Sequence, residues 1–314
     1  MGPICHTLVG AALSKSGLDR RTPRAMAVLV FAANAPDVDI VATLFGRNLG
    51  WRRGITHGIP ALIIWPLLIA IATMAIERWR RVPGRAQARL GPLVAVSAVG
   101  VATHPFLDYL NNYGMRWLMP LRNQWFYGDS LYIVDPWLYL LLGLGLWFAH
   151  RGRLAGHADP GRPARVALAV ASIYIGAMIA GTAIGRVAAV KALGAIDPRQ
   201  VMVTAVPVNP FRRQLVAADA DHYRVGTVDL LRRVARVDSV VSRGPRFGEA
   251  VAALELTAAG RALIRWARFP VVKGLEGGGL RFFDLRYSNG TGPSWASLDL
   301  SPALVAPGAS RGLR

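Results

Sequence analysis

The sequence predicts a mainly α-helical membrane protein: a multi-pass helical membrane bundle followed by a small β-rich C-terminal extramembrane domain. Of the 314 residues, 53% are hydrophobic and only 18% are charged, and the mean hydropathy is +0.33, which is too apolar for a soluble protein of this size. The apolar residues form long runs separated by short arginine-rich loops. After about residue 190, short apolar stretches alternate with Gly and Pro turns, which is typical of strands.

Six apolar runs occupy the first part of the chain, at 3–13, 25–45, 58–76, 90–110, 131–149 and 166–187. The first is too short to span a bilayer as a straight helix, so we expect a re-entrant or buried half-helix there. The second contains Pro36, which removes a backbone donor, so this helix should kink or unwind. In an unwound stretch, the side chains of Asp37 and Asp39 can converge.

We expect three parts in the chain. They are a transmembrane domain at 1–190, a β-rich extramembrane domain at 191–305 and a disordered tail at 306–314. Within the second part, residues 201–208, 223–228 and 280–287 are predicted strands, and 250–267 has helical spacing.

The charge pattern indicates membrane topology rather than nucleic-acid binding. The formal net charge is +19, but the arginines lie mostly in short loops, as expected for contact with anionic lipid headgroups. Loops 14–24, 78–89 and 150–165 are the arginine-rich ones, so they are predicted to be cytoplasmic and the C-terminal domain extracytoplasmic. The single Cys5 excludes an internal disulfide and a Cys-based zinc cage, and no removable signal peptide is expected.

Ionisable residues are embedded in these apolar runs. They are His6, Asp37, Asp39, His57, His104 and Asp108. His104 and Asp108 are four residues apart and therefore share one helical face. The predicted topology places the whole set at the outer ends of their segments, at one depth.

Such a set favours a divalent metal site. Placing one aspartate at the bilayer centre costs roughly 3 kcal/mol, so several at one level need partners or a cavity. Imidazoles and carboxylates are suitable ligands for zinc, and manganese or magnesium also remain possible. The number of ligands would allow one or two ions. Taken singly, His57 could be an interfacial histidine and His104 could satisfy a neighbouring helix. The aspartates could cap helices or pair with Arg52, Arg53 or Arg116. A metal with an open position for water supports ester or phosphoester hydrolysis.

Four short motifs carry a family resemblance. They are His6-Thr7-Leu8-Val9-Gly10, Pro36-Asp37-Val38-Asp39, Arg53-Gly54-Ile55-Thr56-His57 and His104-Pro105-Phe106-Leu107-Asp108. In order and spacing they resemble the membrane-bound metal-dependent hydrolases, the YdjM-like inner-membrane-associated hydrolases. The resemblance implies that all six embedded residues are metal ligands. It departs at Arg52, where the family often has histidine, and at Gly58, where it has serine, so position 52 is excluded as a ligand.

Roles follow as a hypothesis. His6, His57, His104 and one of the Asp37/Asp39 pair would hold the metal. The other aspartate and Asp108 would serve as second metal ligand, general base or orienting partner of a histidine, which makes Asp39 and Asp108 the catalytic candidates.

Arg52 and Arg53 could bind a substrate phosphate, or could simply contact solvent or headgroups. His150, His157 and His222 are not expected to be ligands, because the first two fall on the opposite side of the membrane and the third lies in the tail.

Two functions remain open. The preferred one is a hydrolase at the outer face of a bacterial inner membrane that cleaves a lipid or amphiphilic ester or phosphoester. The alternative is a non-catalytic metal-binding scaffold or a transporter. A transporter would need polar groups that continue to the inner side, and the inner halves of these runs offer almost none. Membrane lipids are the expected partners, nucleic acid is not, and the oligomeric state stays open.

Overall fold

A computed structural model describes residues 1–45, 48–80, 86–194 and 196–305. The predicted disordered tail at 306–314 and part of the basic loop 78–89 lie outside these residues. The helices are α1 Pro3–Lys15, α2 Ala25–Asn34, α3 Asn48–Trp51, α4 Ala61–Trp79, α5 Leu90–Tyr109, α6 Pro136–Leu154, α7 Arg162–Leu193, α8 Phe247–Glu255, α9 Ala258–Trp266 and α10 Pro302–Val305. The strands are β1 Val201–Ala205, β2 Arg212–Ala218, β3 His222–Asp229, β4 Val234–Ser242, β5 Pro270–Gly274, β6 Leu280–Asp284 and β7 Ser297–Leu300.

Four helical segments of the described chain are long and apolar enough to cross a membrane. They are Ala25–Phe45, Ala61–Trp79, Leu90–Tyr109 and Arg162–Leu193. They match four of the five apolar runs that are predicted to span the membrane, namely 25–45, 58–76, 90–110 and 166–187. The fifth run, 131–149, was predicted with the wrong bounds and is not among these segments. Its helix α6 begins only at Pro136, and its last turn carries Arg151 and Arg153, so its apolar stretch is shorter than the run suggested.

The predicted change at Pro36 is present. The α-helix α2 ends at Asn34, and the chain continues as a 3-10 helix over Ala35–Phe45. Proline at position 36 has no N–H to donate to the i−4 carbonyl, so the α-helical ladder ends there and the tighter helix takes over. This tighter helix carries Asp37 and Asp39.

The first compact unit comprises Met1–Asp39, Arg53–Ile184 and Thr204–Arg212. Within it, α1 and α5 each approach α2 through a glycine. A Cβ on Gly10 would lie 2.8 Å from the Leu29 carbonyl oxygen, and one on Gly100 would lie 2.8 Å from the Ala32 Cβ. Larger side chains at these two positions would push the helices apart. The close approach brings the polar faces of α1 and α5 beside the start of the 3-10 helix.

The second compact unit comprises Ile40–Arg52, Gly185–Val203 and Arg213–Arg314. Its strands form a four-stranded sheet of order β1-β2-β3-β4 and a three-stranded sheet of order β5-β6-β7. The pairs β3/β4, β5/β6 and β6/β7 are antiparallel. The β-rich C-terminal region is therefore confirmed, and α8 and α9 occupy the stretch predicted to be helical. Residues 40–52 join this unit, although they belong by sequence to the apolar N-terminal part.

Candidate metal centre

Three segments bring four potential ligands together. Asp37 comes from the 3-10 helix, His57 from the loop before α4, and His104 and Asp108 from α5. One ligand atom of each residue lies within 4.8 Å of all the others. Three of the side chains are buried, and Asp37 is partly exposed with 14% of its side chain accessible. Among the four, Asp37 is therefore the residue that reaches the surface of the described chain.

The spacing of these ligand atoms fits a metal ion. The Nε2 atoms of His57 and His104 are 3.1 Å apart. The Asp37 Oδ1 lies 3.8 Å and 3.7 Å from these two nitrogens, and the Asp108 Oδ2 lies 3.7 Å and 3.5 Å from them. A tetrahedral zinc site with bonds of 2.0–2.1 Å has ligand-to-ligand distances of about 3.4 Å. The observed distances bracket that value.

The tautomer of His104 is fixed by the backbone. Its Nδ1 lies 2.6 Å from the carbonyl oxygen of Ala33, and a carbonyl oxygen can only accept a hydrogen bond. Nδ1 therefore carries the proton, and the lone pair of Nε2 points into the cluster. This is the arrangement found for histidine ligands, whose second nitrogen donates to a carbonyl or carboxylate.

His57 is held in the same way. Its Nδ1 lies 2.9 Å from the Thr56 hydroxyl and 3.3 Å from the Asp39 Oδ2. That carboxylate oxygen also accepts the Thr56 hydroxyl at 3.2 Å and the Arg53 backbone N–H at 2.7 Å. A ring nitrogen facing these acceptors carries the proton, so Nε2 is bare. Burial lowers the pKa of His57, which keeps the ring neutral.

Two bare imidazole nitrogens at 3.1 Å repel each other, because both present a lone pair to the same space. A cation between them turns the repulsion into attraction. The donor set of two imidazoles and two carboxylates therefore fits a divalent metal such as zinc.

Asp108 is also held by groups outside the cluster. Arg53 Nε lies 2.8 Å from its Oδ2, and the α-amino group of Met1 forms an ion pair with Oδ1. Arg53 lies inside the protein, 4% exposed, rather than at the outer surface where the sequence predicts it. Its Nη1 donates to Asn111 Oδ1 and to the Gly114 carbonyl, each at 3.1 Å. These contacts fix the guanidinium beside the metal centre.

The other predicted site residues lie at different distances from the cluster. His6 stacks on His104 with ring centroids 3.8 Å apart, and its Nε2 is 3.4 Å from Asp108 Oδ1. Within the described chain, the buried His6 Nδ1 has no hydrogen-bond partner. Asp39 lies behind His57 rather than among the four ligands. Arg52 is partly exposed and belongs to the second unit, so its role stays a prediction.

Two contacts could not be identified from the sequence as site features. Thr56 was part of a motif, but its bridge between Asp39 and His57 depends on the loop conformation. The Ala33 carbonyl has no signal in the sequence, since any residue supplies one. The remaining histidines, at positions 150, 157 and 222, are exposed and lie outside the cluster.

The family model described as YdjM inner membrane protein matches residues 1–185, which include all four ligands of the cluster. The chain belongs to this family. A relative named Uncharacterized protein YfhP, from Bacillus subtilis (strain 168), is 26% identical over 156 residues, which are 46% of this chain. The chain spans 45% of the length of that relative. No solved structure matches the chain. Family membership and the four apolar helices make this an integral membrane protein.

Proposed function

We propose that this protein is a metal-dependent hydrolase at the outer face of the bacterial inner membrane. Its substrate would be a lipid or an amphiphilic ester or phosphoester. The observation that carries the proposal is the pair of inward-facing imidazole Nε2 atoms 3.1 Å apart, flanked by two carboxylates.

His57, His104, Asp37 and Asp108 would hold one divalent ion, with zinc as the best match because their spacing is close to tetrahedral. Manganese or magnesium would require further oxygen ligands, and a second ion would use His6, whose Nε2 lies 3.4 Å from Asp108 Oδ1. When bound, the metal supplies Lewis-acid polarisation of the scissile group and activation of water as the nucleophile.

Neighbouring side chains orient the metal ligands and balance their charge. Asp39 and Thr56 fix the orientation of His57, so Asp39 acts as a positioning residue rather than in direct contact with substrate. Arg53 offsets part of the negative charge on Asp108. Asp37 is the ligand that reaches the surface, so substrate and water would approach from its side.

Exposed apolar side chains lie next to or close to two of these ligands in the sequence, which suits an amphiphile. Val38 follows Asp37 and is 50% exposed, while Ile55 and Ile59 flank His57 and are 62% and 51% exposed. Exposed apolar groups next to a polar site favour a substrate with both an apolar and a polar part. The C-terminal domain would be extracytoplasmic, as the arginine-rich loops indicate.

The test combines metal analysis with a substrate screen. Purified wild type and the variants Asp37→Ala, His57→Ala and His150→Ala would be compared by elemental analysis and then incubated with lipid and phosphoester substrates. We expect stoichiometric metal and hydrolysis in wild type and in His150→Ala, the exposed control, and loss of both in the other two. Metal without hydrolysis of any substrate would favour the non-catalytic scaffold. Folded wild type without metal after reconstitution would refute the proposal.

A further inference from the structure

An apolar groove lies within the second compact unit, apart from the metal cluster. Its volume is about 430 Å³, and its lining includes Leu49 and Trp51 of α3, Ala259 and Ala262 of α9, and Trp295. This volume falls in the range typical of small-molecule sites.

Small residues create the groove. A Cβ on Gly50 would lie 3.9 Å from the Cβ of Ala262, so α3 and α9 are in contact at these two positions and leave space beside them. On α9, Leu263 is buried, whereas Arg261 and Arg265 lie one turn apart on the exposed side. The helix thus presents an apolar stripe to the groove and cationic side chains to solvent.

The side chains that line the groove determine which class of ligand it can bind. Apart from the Ser297 hydroxyl and the indole N–H groups, the side chains that line the groove are apolar. A peptide bound there would need partners for its backbone N–H and C=O groups. A hydrocarbon chain needs none and gains free energy from every apolar contact.

The chain segment that forms one wall follows a candidate membrane span in the sequence. The candidate span Ala25–Phe45 ends just before α3, and its last residues are strongly exposed, with Leu44 at 82% and Phe45 at 73%. Trp51, in the groove wall itself, is 59% exposed. Exposed apolar side chains therefore lie both at the end of this candidate span and in the groove wall, which are close in sequence.

We propose that this groove binds one acyl chain of a membrane phospholipid. The exposed Arg265 of α9 would then be available to its phosphate, since a guanidinium group matches phosphate oxygens, whereas Arg261 already donates to the Glu255 carbonyl. This binding site goes beyond the proposed hydrolysis and does not depend on it.

The test uses the full chain in lipid nanodiscs that contain a phospholipid with a photoreactive diazirine on its acyl chain. After illumination, labelled positions are mapped by mass spectrometry. Ala259→Trp fills the groove from an exposed position, and Ala252→Trp places the same side chain on the exposed face of α8, outside the groove. We expect labels on Trp51 and Trp295, reduced by about tenfold in Ala259→Trp, as for a loss of about 1.4 kcal/mol, and unchanged in Ala252→Trp.

Labels confined to the spanning helices would overturn the inference, as would groove labelling of equal strength in both tryptophan variants. The metal-site variant Asp37→Ala should be labelled in the groove like wild type. A failure of the hydrolase proposal therefore leaves this result unaffected, and the two ideas can fail separately.

Discussion

Replacement of Asp39 by asparagine tests whether Asp39 binds the metal directly or positions His57. The carboxylate of Asp39 accepts the Arg53 N–H at 2.7 Å and the Thr56 hydroxyl at 3.2 Å, and lies 3.3 Å from His57 Nδ1. Asparagine has the same shape and keeps one acceptor oxygen, so the loop should persist, but the negative charge behind His57 is lost. Substitutions of this kind typically weaken metal binding 10- to 100-fold, or by about 1.4–2.7 kcal/mol.

The assay is a competitive titration of the purified protein with a chelating dye, compared among wild type, Asp39→Asn and Asp37→Ala. We expect Asp39→Asn to keep a full equivalent of metal with weakened affinity, and Asp37→Ala to lose stoichiometric binding. If Asp39→Asn loses its metal as completely as Asp37→Ala, then Asp39 is itself a ligand. An affinity equal to wild type would show that the contact with His57 has no effect. Either result refutes the assignment.

Three further substitutions test the packing and the charges. Arg53→Met leaves the buried carboxylate of Asp108 without its arginine and should lower the free energy of unfolding by about 3–5 kcal/mol, as measured by thermal or denaturant unfolding. Gly100→Val drives a side chain into Ala32 and should cost about 1–3 kcal/mol and reduce metal content in elemental analysis. Asp284→Asn removes the buried ion pair between the last residue of β6 and Arg286 and should destabilise the β-rich unit by about 3–5 kcal/mol at pH 7. Burial alone would raise the pKa of Asp284, but its arginine partner and backbone N–H groups lower it below the usual value. Its contribution is therefore present above about pH 4 and is lost as pH falls further, so the stability difference between variant and wild type should shrink in acid.

Each of these has a matched control. Arg122→Met removes an exposed arginine, Gly176→Val enters open space on α7, and Asp219→Asn breaks an ion pair with Arg224 in which both side chains are exposed, by 44% and 36%. All three should change stability by less than about 1 kcal/mol. If a control substitution lowers the stability as much as the substitution it is matched to, the physical reason given for that prediction is wrong.

The sequence predicted the site well where local geometry decides it. His104 and Asp108 share a helical face because of their spacing, and Pro36 ends the α-helix ahead of Asp37, as observed. The limits of α6 were missed, although the signal was present. Asp135 caps this helix by accepting the N–H groups of Trp137 and Leu138, so the helix begins at the Asp-Pro pair and not at the start of the apolar run.

Other features depend on tertiary contacts and could not be predicted. Which aspartate faces the cluster depends on the rotation of the 3-10 helix against α5. The inward direction of Arg53 depends on acceptors at Asn111 and Gly114, which are distant in sequence from it. The placement of α3 in the second unit likewise follows from its packing on α9, and no periodicity in that segment signals it.

The most direct test of the central claim is X-ray absorption spectroscopy at the metal edge of the purified, metal-loaded protein. We expect a shell of nitrogen and oxygen ligands, at about 2.0–2.1 Å for zinc, with outer-shell scattering from two imidazoles and no sulfur. In the variant His104→Ala, one imidazole contribution should disappear or the metal should be lost. A sulfur ligand, the absence of imidazole scattering, or a folded protein that binds no metal would rule out this metal centre.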